Sequence, residues 1–252
     1  MRQVAIALAL LALGPGSGAA TAQELVTDRP DFTESAVTVP VRRLQLESGV
    51  THEWSGSARE QAVGEVLLRI GLAAPLELRL AVPSWLRRDD GAARTEGFAA
   101  PGLGVKLQLL RGREPYSAVR PDVALIVQAT APARDRALGE ETWSGAAKLC
   151  LAGSPPGSLS YAFNLNVEQG EDADTGVGSA SASLGVELPA GFGGYCEWFG
   201  FAPLSGAGER SQWADGGLTW SPCESLQLDA RVGLALHASE RGFAGIGLSR
   251  RW

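Results

Sequence analysis

From Val41 to the last residue the chain alternates apolar and polar positions with a period of two, which marks extended strands with a different environment on each face. Leu44, Leu46, Val50 and Trp54 fall on one side and Arg43, Gln45, Glu47 and Glu53 on the other. Val66, Leu68, Ile70 and Leu72 oppose Glu65, Arg69 and Gly71. Leu76, Leu78, Leu80 and Val82 oppose Glu77 and Arg79, and Leu103, Val105, Leu107 and Leu109 oppose Lys106 and Gln108. Val123, Leu125 and Val127 follow, then Leu149 and Leu151 beside Lys148. The cleanest run sets Leu159, Tyr161, Phe163, Leu165 and Val167 against Asn164, Asn166 and Glu168. Leu184, Val186 and Leu188 oppose Ser183 and Glu187, and Leu226, Leu228, Val232 and Leu234 oppose Gln227, Asp229 and Arg231. The runs over 194–201 and 212–220 are weaker, and a last run closes on Trp252. The pattern predicts about twelve strands of roughly ten residues, enough to cross a bilayer when tilted, with ten and fourteen as neighbouring counts.

A soluble β-sandwich also alternates, so periodicity alone leaves it open. Three features favour a transmembrane antiparallel up-and-down β-barrel. Central strands carry charges of both signs on one face, where a sandwich has no second solvated wall. Connectors alternate in length: those near Ala73-Ala74-Pro75, Ser154-Pro155-Pro156-Gly157, Pro189 to Phe192 and Ser221 to Glu224 are tight, whereas Ser84 to Gly97 and Ala131 to Glu141 read as longer polar loops. Short turns on one side and long loops on the other are the habit of outer-membrane barrels. Finally, the chain stops on an aromatic, Trp252, in a strand with Ile246 and Leu248 on the same face. In such a barrel Trp54, Trp85, Trp143, Trp198, Trp220 and Trp252 read as an aromatic girdle.

The first 22 residues read as a secretory signal: Arg2 at the start, an apolar run from Val4 to Leu13, and a small-residue cleavage site at Ala20-Thr21-Ala22. Residues 23–40 form a charged, aperiodic segment, and 41–252 the barrel. The 45% hydrophobic content is sufficient for a core, and no remaining stretch is apolar enough for a spanning helix. A net charge of -6 without any Lys/Arg cluster argues against nucleic acid as a partner. Cys150, Cys196 and Cys223 leave room for one disulfide, and His52 and His237 lack metal-ligand spacing, so neither metal nor cofactor is expected.

The segment Thr27 to Ser35, TDRPDFTES, followed by Gln45-Leu46-Glu47 and Gly49, resembles the start of the bacterial outer-membrane transporter family named for the MetA pathway of phenol degradation. Leu228-Asp229-Ala230-Arg231 and the closing Gly245-x-Gly247-Leu248-Ser249 are similar to that family's last two strands. One departure is Arg250, where members commonly carry an aromatic; by parity it points to lipid, where a long Arg near the interface can snorkel. The resemblance implies an outer-membrane barrel passing small molecules, aromatic or otherwise apolar. It implies as partners outer-membrane lipid, an unidentified permeant, and the barrel assembly machinery, with Trp252 as assembly signal.

In a barrel the charged faces line the lumen, which gives the inward list Arg43, Glu47, Glu65, Arg69, Glu77, Arg79, Lys106, Lys148, Glu168, Glu187, Asp229 and Arg231. Acids and bases interleave, so a paired network holding the wall is the plainest role for them. Asp28, Arg29, Asp31 and Glu34 suit a polar lumen or its periplasmic mouth, so residues 23–40 are expected to fold into or under the barrel as a plug. Three functions follow: a channel or transporter with a charged wall, an occluded barrel serving a structural or interaction role, or an outer-membrane lipid hydrolase. The last rests on His237-Ala238-Ser239, two residues apart like a base beside its nucleophile, but the pair falls in a connector with nothing to orient the His.

Overall fold

The computed structural model describes residues 24–112, 120–135, 138–139, 141–169, 176–205, 209–237 and 240–252; the expected signal peptide lies outside them. Among the described residues fourteen strands form one sheet: β1 (Leu44–Ser55), β2 (Ala58–Ala73), β3 (Leu76–Ala81), β4 (Trp85–Asp89), β5 (Arg94–Phe98), β6 (Gly102–Leu110), β7 (Asp122–Thr130), β8 (Ser144–Gly153), β9 (Leu159–Gln169), β10 (Gly176–Glu187), β11 (Phe192–Pro203), β12 (Ser211–Cys223), β13 (Leu226–Ala235) and β14 (Arg241–Arg251). Every pairing between strands is antiparallel, and β1 pairs with both β2 and β14, so the sheet closes on itself. Closure pairs the spanning strands around the ring, the condition hydrocarbon imposes, and β5 pairs only with β4.

Two wall positions are shared by tandem strands. Along β2, residues 67–73 pair with β3 and residues 59–63 with β4. β3 and β6 pair, as do β4 and β5. The breaks hold Pro83 and Pro101, each lacking the N–H a ladder needs. Pairing carries across them through Val82 N–H to Val66 O at 2.8 Å and Ala99 N–H to Ser84 O at 2.8 Å. The barrel therefore has twelve walls, with β4 and β5 as a hairpin extending one of its ends. This corrects the expected loop from Ser84 to Gly97, which is a strand hairpin. Its residues Arg87-Arg88-Asp89 are charged on both faces, so no period of two shows there, and pairing with β2 supplies the order instead.

Parity holds around the ring. Leu103, Leu149, Leu165, Leu184, Leu218, Val232 and Ile246 face outward and are exposed, while Gln45, Glu47, Arg69, Glu77, Lys106, Asn164, Ser181, Glu197 and Asp229 face inward and are buried. An apolar skin around a polar interior inverts the pattern of a soluble protein and suits lipid outside. The first and last strands meet at the end with the tight turns, where Leu44 and Trp252 exchange backbone hydrogen bonds at 3.3 and 2.9 Å. The first strand begins three residues after Val41, which instead bridges Gly71 ahead of a turn at Arg42. Trp252 stacks beneath the Arg250 guanidinium at 5.4 Å, so Arg250 is on the outer face as parity requires. Trp198 lies halfway along β11, so it stands apart from any girdle at the strand ends. The three cysteines are free thiols: Cys150 is buried inward, and Cys196 and Cys223 are exposed.

Leu165, 63% exposed near the middle of β9, tests the outward assignment. Leu165→Arg should destabilise the barrel by about 2–4 kcal/mol in bilayers. Reversible urea unfolding in vesicles measures this, and an unchanged midpoint would contradict a lipid-facing position.

Candidate functional site

Residues 24–40 have no regular secondary structure, yet their polar groups meet side chains from most of the wall. The segment rises beside β1 and β14, turns over at Phe32 and Thr33, and returns past β8, β6 and β3 to the turn before β1. Asp28 ties its two legs, its Oδ1 accepting from Ser35 N–H at 2.9 Å and from Ser35 Oγ at 2.7 Å. Inward carboxylates accept the segment's backbone donors. Glu47 takes Asp28 N–H at 3.2 and 3.1 Å, Glu197 takes Phe32 N–H at 2.7 Å and Thr33 N–H at 2.6 Å, and Glu77 takes Val39 N–H at 2.8 Å.

One half of the lumen is ionic. Arg69, fully buried, holds Glu77 with two nitrogens at 2.8 and 3.0 Å, Glu47 at 2.8 Å and Asp28 at 3.3 Å. Arg79 bridges Asp28, Glu77 and Glu34; Lys106 Nζ donates to both Asp28 oxygens at 2.9 Å; and Lys148 donates to Glu34 at 2.6 Å. Four acids, Asp28, Glu34, Glu47 and Glu77, thus meet four bases, Arg69, Arg79, Lys106 and Lys148. Burial alone would raise the Asp28 carboxyl, but Arg69, Lys106 and Arg79 outweigh it and hold it well below the usual carboxylate range. Burial opposes the Glu34 charge too, and Arg79 with Lys148 brings that carboxyl down to about 2.

A second group surrounds Arg29, whose guanidinium meets Glu65 at 3.4 Å and Asp229 at 3.3 Å. It lies flat on β1 and β14 because Gly49 and Gly247 stand beneath it, and a Cβ at either would overlap it. Arg231 donates to Pro30 O at 3.0 Å and to Thr51 Oγ1 at 3.1 Å.

The other half is aromatic and less filled. Phe199 and Phe201 of β11, Trp213 of β12 and Phe243 of β14 face inward around Phe32 of the segment. Phe32 stacks on Phe199 at 4.7 Å and meets Phe201 edge-on at 5.4 Å, while Trp213 lies 6.1 Å from Phe199 and 6.0 Å from Phe243. Arg231 sits over Phe243 at 5.1 Å and Arg241 over Trp213 at 5.4 Å. Beside this cluster Tyr195 Oη donates to Asp215 at 3.1 Å. Asp31 lies close to Glu197, and burial, then that neighbouring charge, push its carboxyl well above the usual range. Toward the tight-turn end a cavity of about 690 Å³ lies between the segment and β9 to β12, with Leu188, Gly191, Ser221 and Glu224 at its mouth.

Of the inward residues expected from parity, Glu47, Glu65, Arg69, Glu77, Arg79, Lys106, Lys148, Asp229 and Arg231 bond the segment. The others do not join them. Arg43 is half-buried at the turn before β1, Glu168 is exposed at the far end of β9, and Glu187 is exposed at the cavity mouth. The aromatic cluster and Glu197 were not legible as site residues, although Glu197, Phe199 and Phe201 share one parity. His237 is exposed in the turn after β13, and Ser239 lies outside the described residues.

Fold and lumen together define an outer-membrane β-barrel whose own N-terminal segment occupies the interior. The chain belongs to the family described as "Putative MetA-pathway of phenol degradation", which matches residues 27–252. None of the curated proteins matches it in sequence. Among solved structures it is similar to an outer-membrane channel from Pseudomonas putida F1, at 16% identity and TM-score 0.64, covering 86% of this chain and 98% of that one. The CymD monoaromatic hydrocarbon channel aligns at 8% identity and TM-score 0.47, covering 84% and 88%. The first likeness establishes the fold as one that bacterial outer membranes hold.

Removing Arg69 would leave Glu47, Glu77 and Asp28 short of their shared cation. Arg69→Met should destabilise the barrel by about 3–5 kcal/mol, and adding Glu77→Gln should recover part of the loss. Urea unfolding in vesicles reads both; a loss under about 1 kcal/mol would show a network screened by water.

Proposed function

We propose that the protein is an outer-membrane channel for small amphipathic aromatic molecules, with residues 24–40 as the plug that narrows its lumen. The observation that carries this reading is the inward aromatic group of Phe32, Phe199, Phe201, Trp213 and Phe243, beside a cavity of about 690 Å³. Outward aromatics have lipid to face, whereas a polar lumen gives inward ones no such reason. Their ring faces and edges suit a planar permeant, and Arg231, Arg241, Tyr195 and Asp215 nearby supply donors and acceptors for its polar group. The family's description and the CymD channel's monoaromatic hydrocarbons point the same way. The ionic half serves as scaffold, fixing the segment so that passage follows β9 to β12. On this reading the barrel transports without doing chemistry. Its partners are the surrounding lipid, the permeant, and the machinery that assembles it from the strand ending at Trp252.

The test is uptake into proteoliposomes of an aromatic carboxylate that the bilayer itself excludes, against an aliphatic carboxylate of equal size. The native protein should favour the aromatic solute, and Phe199→Ala with Trp213→Ala should remove roughly tenfold of that preference. Deleting residues 24–40 should raise uptake of both solutes. A folded barrel passing neither solute, with or without the segment, would instead support an occluded structural role.

A further inference from the structure

The wall's charges nearly all point inward, which makes the exceptions informative. Among described strand residues the outward charges are Arg59, Arg87, Asp89, Arg94, Glu96 and Arg250. Arg250 lies beside Trp252 at the tight-turn end. The other five gather at the opposite end, in the single sector of β2, β4 and β5. Their height follows from the register. Val50, Val63, Trp85 and Phe98 make an apolar outward row; two residues further come His52, Gln61, Arg87 and Glu96, and two further again Trp54, Arg59, Asp89 and Arg94. At the level of His52 the neighbouring strands remain apolar, with Ala244 on β14 and Val232 on β13. The charged rows therefore lie beyond the apolar outward row, toward the end of the barrel opposite the tight turns.

His52, Arg59, Gln61, Arg87 and Asp89 line a depression of about 200 Å³ on this outer face. Of the acids there, Glu96 pairs with Arg94 and lies 3.9 Å from Arg87, and Asp89, which also lines the depression, accepts Gly91 N–H at 3.0 Å through one oxygen. Arg59 is held toward the rim by Gly56 and Ala58 carbonyls at 2.6 and 2.7 Å. The Nδ1 atom of His52, shielded from solvent, has no hydrogen-bond partner among the described residues. A concave, lipid-facing pocket with two guanidiniums and an unpartnered imidazole nitrogen is built to take phosphate oxygens, which arginine binds through paired N–H donors.

We propose that this rim pocket binds the phosphorylated headgroup of an anionic glycolipid of the outer leaflet, fixing the β4–β5 hairpin against the membrane surface. The assignment is independent of what passes through the lumen.

Full-length protein in mild detergent is titrated with bisphosphorylated lipid A, and bound lipid is counted by native mass spectrometry. Arg59→Ala with Arg87→Ala should weaken retention roughly tenfold or more, while Arg250→Ala leaves it unchanged. Lipid A stripped of its phosphates should bind the native protein as weakly as the double variant binds the intact lipid. Arg87→Gln alone, checked for folding by heat-modifiable migration, should give an intermediate loss and covers failure of the double variant to fold. Equal retention by native and variant proteins, or equal retention of the dephosphorylated lipid, would overturn the proposal. So would inorganic phosphate displacing the lipid at equal concentration, since that would mark a site for the free ion.

Discussion

A peptide without helix or strand cannot stand inside a membrane barrel unless its backbone donors find partners there, and in this protein carboxylates from the wall are those partners. Glu47, Glu197 and Glu77 accept the N–H groups of Asp28, Phe32, Thr33 and Val39. An unmet buried donor costs of order 1–3 kcal/mol, so four such bonds decide whether the segment stays. Glu47 and Glu77 are themselves buried and need cations, which Arg69 of β2 and Arg79 of β3 supply. Buried ion pairs add little net stability when complete, but their loss is severe, and they fix one arrangement among many.

From this follows the lopsidedness of the lumen. Bases occupy β2, β3, β6 and β8, so the segment is drawn to that side and packs it solidly. The wall from β9 to β12 has no comparable cations and is left with aromatic rings and a cavity. Phe32 is the one aromatic ring the segment contributes to that cluster. Ionic scaffold and open space are thereby separated within one interior.

Much of this was legible in the sequence because lipid outside and charge inside produce the strictest alternation a strand can show. Runs such as Leu76 to Val82 and Leu159 to Glu168 gave strand, face and inward residues at once. Where both faces are apolar or both charged the signal vanished. Phe199 and Phe201 opposite Trp198 weakened the pattern of β11, so the aromatic cluster went unseen, and Arg87-Arg88-Asp89 disguised β4 as a loop. Pairing partners were also hidden, since the sequence put Asp28 in a polar preface but held no sign that Lys106, 78 positions on, would meet it.

Hydrogen exchange on the folded barrel reads the backbone donors on which the interior depends. The amides of Asp28, Phe32, Thr33 and Val39 should exchange at least about a hundredfold more slowly than an unstructured peptide, close to the amides of β1 and β3. Exchange of those four at unstructured rates, with the strands still protected, would contradict that dependence.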